Sequence, residues 1–495
     1  MNKKFKFRLS IFLTIIIISG AYLFFSYTIN DDRFNRLKSL IDLNDKQRFL
    51  LKKYIFPYKL IDQQKKQILR IDEEILRTKE SMMSLVSDRD ELILRQAETI
   101  KQKERDIKKF FSSLELKIKK EGSDIELKES SYKLSNNTTL KKYKLISGFY
   151  AGIYSNFPGS GYIDFYEDNI FIVSSRGILA FRKELIDDEV NFKQIQNNIN
   201  DFIGMKQFSK SGKSSIKDLL IANEKIYISF TEEIKEDCWN TSVLYGDINY
   251  ENIKFKKIFS SKECVHSINN IDNQFEMWQS GGRLVSFDDN HILLSTGDYR
   301  SRFLAQDKES INGKIIKINI FNNDYKIISM GHRNPQGLYF DKENNFLLET
   351  EHGPQGGDEI NLIDLYNENI NKIPNYGWAI VSAGEHYGGK KESTNKQIYE
   401  KYPLYKSHSD YGFTEPLKSF VPSIAIAEIV KIGKNNYVVS TMKGDLYFFE
   451  LNEQKEIINL DKVHVSERIR DLRFKDNKLF LFMETTGSIG VINLN

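Results

Sequence analysis

Two short loops in the second half of the chain carry residue types that can do chemistry. The segment "GHRNPQGL" contains Arg333 and Asn334, and "TEHGPQGGDEINLI" contains Gly353, Pro354 and Glu359. An arginine binds a planar carboxylate through two parallel hydrogen bonds, whereas calcium takes carboxylate and carbonyl oxygens. The two loops therefore predict an anion-and-metal site at the rim of a β-sheet scaffold.

Further charged and aromatic residues stand near the ends of other predicted strands. They are Tyr376 in "NYGW", Lys443 in "STMKGD", and Arg468 and Arg470 in "ERIRDL". Several cations and acids that meet at one end of a scaffold suit a polyanionic ligand beside a hard cation. Taken singly, such residues are more typical of surface ion pairs and turns, so the prediction depends on their being brought together.

The elements that would bring them together are six repeats of a β-hairpin pattern. Turn residues precede a β-rich run in "YEDNIFIVSS", "IANEKIYISF", "FDDNHILLST", "DKENNFLLET", "IGKNNYVVST" and "FKDNKLFLFM", and a second short strand follows each run. Asn, Asp or Lys at the bend with alternating apolar residues is typical of hairpins. The repeats predict an all-β, six-bladed β-propeller over residues 145–495; a β-sandwich is the alternative.

The first thirty residues predict a membrane anchor. Basic residues precede the run "IFLTIIIISGAYLFFSYTI", residues 11–29, which contains no charged side chain. About 20 apolar residues span a bilayer core, and the flanking charges place the N-terminus in the cytoplasm. Residues 1–30 are predicted to be a cytoplasmic tip and a single-pass anchor in a bacterial-type inner membrane, with the propeller on the periplasmic or extracellular side. A cleaved signal peptide is the alternative.

Residues 31–120 change to a charged composition with spaced aliphatic residues. Ile68, Ile75 and Met82 recur every seven residues, which is helical spacing with an unsteady heptad. This pattern predicts a helical, coiled-coil-like stalk that associates with a second copy of the chain; a single solvated helix is the alternative. The polar residues 121–144 are interpreted as a linker.

Charge and cysteine content narrow the possible functions. The 72 basic and 68 acidic residues give a formal net charge of +4, which argues against a nucleic-acid partner because such proteins carry a concentrated basic face. Cys238 precedes the strand "TSVLYGD" and Cys264 follows the strand "IKFKKIF". Antiparallel pairing of these strands would bring the cysteines together, so a disulfide is predicted, consistent with an exported protein. Two free buried thiols are the alternative.

The motifs and their order resemble the glucose/sorbosone dehydrogenase family. "AQDKESINGKIIKI", "GHRNPQGLYFD", "TEHGPQGGDEINLI", "NYGWAIVSAGEHY", "VPSIA" and "RIRDL" carry the resemblance, which covers roughly residues 150–495. That family contains soluble quinoprotein glucose dehydrogenases and periplasmic aldose sugar dehydrogenases. The resemblance implies a six-bladed propeller with pyrroloquinoline quinone (PQQ) over its channel and Ca²⁺ beside it. It also implies oxidation of the anomeric hydroxyl of a sugar.

The resemblance also implies roles for individual residues. Arg333 would polarise the quinone carbonyl that accepts hydride, and Asn334 would hydrogen-bond the cofactor. The implied calcium ligands are Glu359 and Tyr376, or the carbonyls of Gly353 and Pro354. The remaining implied cofactor contacts are Tyr387, Lys443, Arg468 and Arg470.

Two positions depart from the family's pattern. The family's general base is a histidine four residues before the arginine of "H-x-G-x-R-L", and counting back from Arg283 in "MWQSGGRLVSF" gives Gln279. Glutamine does not accept a proton near neutral pH, and loss of a general base costs roughly 10²–10⁴-fold in rate. Asp298 in "STGD" matches the acid that orients the missing histidine and is the other candidate base. In "SGKSSIKD", Lys213 stands where relatives carry a glutamine, and a lysine there can pair with a cofactor carboxylate.

The leading hypothesis is a membrane-anchored, exported PQQ-dependent oxidoreductase of the aldose dehydrogenase type. It would transfer hydride from a sugar or related alcohol to the quinone with an altered general base. The alternative hypothesis is a non-catalytic propeller that binds a ligand or protein partner outside the cytoplasmic membrane. Retention of the cationic residues favours a bound cofactor, whereas Gln279 in place of the histidine favours the alternative.

Overall fold

The computed structural model describes residues 57–145, 160–183, 190–365 and 373–494. The chain separates into two compact units, Met1–Ile100 and Lys101–Asn495. Within the described residues, no helix is both long enough and apolar enough to cross a bilayer. The predicted membrane anchor at residues 11–29 lies outside the described residues.

The helix predicted for the stalk is present as α1, Pro57–Glu121. Ile68, Ile75 and Met82 are 56%, 59% and 61% exposed, so the first unit leaves its seven-residue apolar stripe in solvent. Residues 31–56 of the predicted stalk lie outside the described part of the chain.

The second unit consists of six β-sheets arranged as a six-bladed β-propeller, as predicted. Three sheets follow the chain, innermost strand first: β13–β16 (Gly281–Asp288, His291–Thr296, Lys314–Asn319, Tyr325–Met330), β17–β20 (Pro335–Asp341, Phe346–Glu351, Asp358–Asp364, Lys418–Phe420) and β21–β24 (Ile426–Lys431, Asn436–Thr441, Asp445–Leu451, Ile457–His464). The alternative of a β-sandwich is wrong, because the inner strands of successive sheets contact one another in a closed ring.

Each of the other three sheets also contains one or two strands from another part of the chain. They are β3–β6 with β10 (Gly161–Tyr166, Asn169–Ser174, Leu179–Arg182, Lys193–Asn197, Asn252–Ile253), β7–β9 with β11 and β12 (Ile216–Ala222, Lys225–Lys235, Cys238–Asp247, Lys256–Ser260, Val265–His266), and β25–β27 with β2 and β1 (Ile469–Lys475, Lys478–Met483, Ser488–Asn493, Thr139–Leu145, Leu127–Lys133). Two short helices, α2 (Met205–Lys210) and α3 (Lys396–Lys401), lie in connections.

The predicted hairpins are all present, and their turns use the expected residues. Asp476 and Asn477 join β25 to β26 with φ values of 50° and 57°. Two successive residues with positive φ form the primed turn that matches the twist of antiparallel strands, and Asp and Asn tolerate this conformation better than most residues.

The interpretation of residues 121–144 as a linker is wrong. Strand β1 pairs with β2, and β2 pairs with β27. These two strands therefore belong to the propeller sheet that contains β25–β27. Leu140 and Tyr143 are buried, whereas the lysines around them are exposed or half-buried. The polar composition concealed the alternation because only the inward-facing side chains are apolar.

The predicted disulfide is present between Cys238 and Cys264, with a Cα–Cα distance of 5.3 Å. Strand β9 begins at Cys238 and pairs antiparallel with both β11 and β12. Cys264 directly precedes β12, so the strand pairing brings the two sulfurs together, as the sequence indicated. The alternative of two free thiols is therefore wrong.

Candidate functional site

The inner strands of the propeller carry β-bulges that turn particular side chains toward the channel. The ladder register shifts near the start of β7, β13, β17, β21 and β25. In three of them, the shift leaves a single residue without a partner: Lys217, Gln336 or Arg470. A bulge re-aims the extra side chain, and all three of these residues line one cavity.

This cavity has a volume of about 260 Å³ and a strongly cationic lining. Its cationic lining residues are Lys217, Arg283, Arg300, Arg333, Arg468 and Arg470. Glu276 is the one carboxylate among the lining residues that the structure describes. Such a lining suits a guest with several negative charges, because guanidinium groups bind carboxylates with high geometric specificity.

Arg333 and Gln279 meet at the wall of this cavity. Arg333 Nη1 donates a hydrogen bond of 2.8 Å to the carbonyl of His352. With the Gln279 amide oriented to satisfy its neighbours, its oxygen accepts from Arg333 Nη2 at 2.8 Å and its nitrogen donates to Asp298 Oδ1 at 3.0 Å. Gln279 therefore lies between the guanidinium of Arg333 and the carboxylate of Asp298.

Asp298 lies behind Gln279 and does not line the cavity. Its Oδ2 accepts from the indole N–H of Trp378 at 2.7 Å, and its Oδ1 accepts from the backbone N–H of Arg300 at 2.8 Å. Burial raises the pKa of Asp298, and the charge of Arg333 offsets part of that rise. Since both carboxylate oxygens are held by other groups, the geometry suits Asp298 to orienting the residue at position 279 rather than to contacting a ligand.

Arg468 and Arg470 share a single carboxylate. Arg468 Nε and Arg470 Nη2 each lie 3.0 Å from an oxygen of Glu484, which is fully buried. Burial opposes the ionisation of Glu484, but Arg470 and Arg468 together lower its pKa below the ordinary value. Two guanidinium groups of the cavity wall therefore converge on one buried carboxylate.

The other predicted cofactor contacts are placed less uniformly. Tyr387 and Asn334 line the cavity. Lys213 lies outside the lining, where its Nζ is 2.7 Å from both oxygens of Glu276. Lys443 is exposed, does not line the cavity and donates to the carbonyl of Ser423. The structure thus brings most, but not all, of the predicted cationic residues together.

The predicted metal ligands fall into two groups. Gly353 and Pro354 directly follow His352, whose carbonyl binds Arg333. Glu359 and Tyr376 are buried; Glu359 Oε1 lies 3.5 Å from His408 Nε2. The Tyr376 hydroxyl donates to the carbonyl of Leu362 at 2.6 Å.

A buried acidic cluster surrounds the second group. His332 Nδ1 lies 3.5 Å from Glu351 Oε1 and 3.7 Å from Glu349 Oε2. Neither His332 Nδ1 nor Glu349 Oε1 has a hydrogen-bond partner among the described residues. Burial, and then the charge of Glu351, raise the pKa values of Glu349 and Glu359 well above the ordinary range. An oxygen-rich, cation-poor cluster of this kind fits a hard cation such as calcium.

The sequence analysis assigned no role to several cavity residues, among them Arg283, which served there only to locate a motif. This buried guanidinium on β13 lies 2.8 Å from Asp218, 2.9 Å from Asp471 and 2.8 Å from Glu428. Those carboxylates belong to β7, β25 and β21. The available signal was a charged residue within a strand pattern, which also marks Lys217 in "IKDLLI".

Comparison of the sequence with protein-family profiles identifies the family of this chain. The profile of the family described as glucose/sorbosone dehydrogenase matches residues 212–491, more than half of the chain. The chain belongs to the glucose/sorbosone dehydrogenase family. The matched range includes all six cationic residues that line the cavity, from Lys217 to Arg470.

Individual members of the glucose/sorbosone dehydrogenase family match over shorter stretches. The aldose sugar dehydrogenase YliI of Escherichia coli is 28% identical over 201 residues, which is 36% of this chain and 50% of that protein. Quinoprotein glucose dehydrogenase B of Acinetobacter calcoaceticus is 32% identical over 152 residues, 24% of this chain and 30% of that protein. The chain thus spans half or less of the length of these relatives.

A solved structure agrees with the fold. The crystal structure of the soluble aldose sugar dehydrogenase from Escherichia coli, in its apo-form, superposes with a TM-score of 0.51 at 20% identity. The superposition covers 69% of this chain and 97% of that chain. At this level of identity the likeness supports the propeller fold alone.

Replacing Arg283 with methionine tests the buried ion network at the base of the cavity. Arg283→Met leaves three buried carboxylates with less compensation, which typically costs about 3–5 kcal/mol. We expect the midpoint of urea unfolding to fall accordingly. Arg95→Met on the exposed face of α1 is the control, and we expect a change within about 0.5 kcal/mol. Equal midpoints for the two variants would contradict a structural role for the network.

Proposed function

We propose that this chain is an oxidoreductase of the sugar dehydrogenase type that binds PQQ in the cationic cavity. The observation that carries the proposal is the convergence of six cationic side chains and one carboxylate around about 260 Å³. PQQ is flat and carries three carboxylates, so it matches that charge. Membership of the glucose/sorbosone dehydrogenase family, and a relative whose name is quinoprotein glucose dehydrogenase B, support the same assignment.

The residues present fit such a guest. Arg468 and Arg470 both line the cavity and both pair with Glu484, so two guanidinium groups at the cavity wall meet one carboxylate there. Arg470 Nε is buried and has no hydrogen-bond partner among the described residues. Since an unsatisfied buried donor is costly, a ligand that accepts a hydrogen bond there would be stabilised.

When bound, PQQ would supply the redox chemistry by accepting a hydride from an alcohol carbon. Arg333 is held by the His352 carbonyl and Gln279, so its guanidinium is fixed before a ligand arrives. A fixed cation stabilises negative charge that develops on an oxygen during a reaction. Arg333 is therefore proposed to stabilise that charge, while Asn334 orients the guest.

Gln279 is proposed to occupy the substrate side of the cavity without acting as a base. Its amide is neutral and already bonded to Arg333 and Asp298. The proton of the substrate hydroxyl would thus pass to solvent water, because no side-chain base stands at this position. This feature is also the specific observation that favours the second candidate function, a propeller that binds its ligand and does not turn over.

Calcium is proposed as a second component. The carbonyls of Gly353 and Pro354 lie on the loop after His352, and Glu359 belongs to the buried acidic cluster. Oxygen donors of both kinds suit calcium. A cation at either place would offset negative charge near Arg333, whose backbone N–H donates to Glu351.

Reconstitution of the chain with its proposed cofactor tests both hypotheses, the active dehydrogenase and the non-catalytic ligand-binding propeller. The full chain is mixed with PQQ and Ca²⁺, and cofactor absorbance and dye reduction by aldoses are recorded. We expect the wild-type chain to retain the quinone, with retention reduced by a chelator. We expect Gln279→His to raise dye reduction roughly 10²-fold or more, because a histidine at this position, oriented by Asp298, would act as a general base.

The control and the pH profile separate the outcomes. Gln279→Asn keeps an amide and should leave the rate low. The activity of Gln279→His should rise as the histidine loses its proton, around pH 6.5 for an unperturbed side chain. Quinone retention with no dye reduction by either Gln279→His or the wild-type chain would support the non-catalytic reading. If no quinone is retained, the proposed function is wrong.

We also propose that residues 11–29 anchor the chain in a cytoplasmic membrane with the propeller outside. The Cys238–Cys264 disulfide supports export, because disulfides persist in oxidising compartments. We expect Ile16→Lys with Ile17→Lys to shift the full chain from the membrane fraction to the soluble fraction. Ile16→Leu is the control and should stay with the membrane. Retention of the lysine variant in the membrane would contradict the anchor.

The stalk is proposed to associate with the stalk of a second copy. The support is the exposed apolar stripe of Ile68, Ile75 and Met82 at seven-residue spacing. Burying such a stripe against another helix is favourable. We expect the detergent-solubilised full chain to sediment as an oligomer, and Ile68→Glu with Ile75→Glu to sediment as a monomer. A monomeric wild-type chain would support the single solvated helix.

A further inference from the structure

Lys217 is a buried amine that lines the cationic cavity without a partner. It is 7% exposed, and among the described residues no hydrogen bond or ion pair involves its Nζ. A buried and unpaired ammonium group is costly because it loses its hydration without compensation. A residue that serves only to pack β7 against its neighbours would be apolar, so the position of this amine needs another explanation.

Two backbone features hold the side chain of Lys217 in this position. The register of β7 against β8 shifts between Ile216 and Asp218, so Lys217 is the extra residue of a bulge. Gly282 of β13 has a φ of 117°, and a Cβ at that position would collide with the Cβ of Lys217. The glycine therefore leaves room for the lysine stem, and the bulge directs it into the cavity.

The same bulge position in two other inner strands carries a cavity residue. Arg470 in β25 and Gln336 in β17 stand where the register shifts, and both line the cavity with Lys217. We propose that Lys217 is a ligand-contacting residue of the channel that binds a carboxylate of the acidic cofactor. This inference rests on the proposed function and adds a cofactor contact that the motif comparison did not assign.

The charges that face Lys217 come from several elements. Burial, and then the positive charges of Arg470 and Arg176, lower the pKa of Lys217 to about 7, while Glu276 and Glu484 offset part of that effect. Tyr162 and Arg283 also line the same cavity. A ligand carboxylate placed beside the amine would favour its charged form and raise its pKa. Ligand binding is therefore coupled to uptake of a proton.

The pKa of Lys217, about 7, determines the pH range in which ligand binding is coupled to proton uptake. Below about pH 7 the free amine is already protonated, so affinity should not depend on pH through Lys217. Above about pH 7 a proton must be taken up on binding. The affinity should then fall by up to about tenfold per pH unit, until the raised pKa of the bound state is reached.

Isothermal titration calorimetry of the full chain with PQQ and Ca²⁺ tests this inference. Titrations from pH 6 to pH 8.5 in two buffers of different ionisation enthalpy give both the affinity and the number of protons taken up. For the wild-type chain we expect little uptake at pH 6 and an uptake that increases toward one proton as the pH rises to 8.5. We expect Lys217→Met to bind roughly tenfold or more weakly at pH 6 and to lose this uptake.

Two further variants make the result specific to the amine. Lys217→Arg keeps a permanent positive charge, so it should bind with near wild-type affinity at pH 6 and lose the proton uptake. Lys443→Met removes an exposed cation, so it should leave the proton uptake unchanged whatever it does to affinity. Lys217→Arg also covers the case in which the methionine variant fails to fold.

The outcomes distinguish this inference from the proposed function. If the wild-type chain binds PQQ and Lys217→Met shows the same affinity and uptake, Lys217 is not a ligand contact, while the proposed function stands. If the wild-type chain binds no PQQ at any pH, the proposed function and the inference fail together. Proton uptake on PQQ binding that is lost in both Lys217 variants and retained in Lys443→Met supports the inference.

Discussion

One buried guanidinium joins four blades at the centre of the propeller. Arg283 extends from its inner strand to Asp218, Glu428 and Asp471, which belong to three other inner strands. Without a cation these three carboxylates would repel one another in a region of low dielectric constant. Since their strands carry the bulges that aim side chains into the cavity, the geometry of the site depends on this contact.

The balance between acidic and basic side chains differs between the ion network around Arg283 and the cavity lining around Arg468 and Arg470. Around Arg283, three carboxylates meet two guanidinium groups, because Arg473 pairs with the same acids. At the cavity wall, the two guanidinium groups of Arg468 and Arg470 meet the single carboxylate of Glu484. On the far side of Arg333 the sign reverses, because Glu349 and Glu351 are buried beside one histidine. A cation-rich cavity beside an acid-rich cluster is an arrangement in which an anionic guest and a metal ion each find complementary charge.

The sequence was sufficient for the architecture because hairpin chemistry is local. Turn residues and alternating apolar residues are read from adjacent positions, so the six repeats predicted six blades. The pairing of β2 with β27 was missed because its apolar residues, such as Leu140 and Tyr143, are separated by charged ones. The Cys238–Cys264 bond was predictable because the two strands involved are close in sequence.

The site was only partly predictable, because the position of a bulge depends on tertiary packing. Arg333, Asn334 and Arg470 were identified from loop motifs, whereas Lys217 lies inside a strand where a charged residue is ordinarily turned to solvent. Gln279 lines the cavity and Asp298 lies behind it, an arrangement that depends on the tertiary structure and not on the spacing of the two residues in the sequence. Motif spacing identified the candidate site residues, but it could not predict which of them would line the cavity.

The most direct test of the cation-lined channel is a crystal structure of the full chain with PQQ bound. We expect the quinone in the cavity, with its carboxylates about 3 Å from nitrogens of Arg468, Arg470 and Lys217. We expect its carbonyl oxygens to face Arg333. A quinone bound at another place, or one with its carboxylates turned away from these three side chains, would contradict the account.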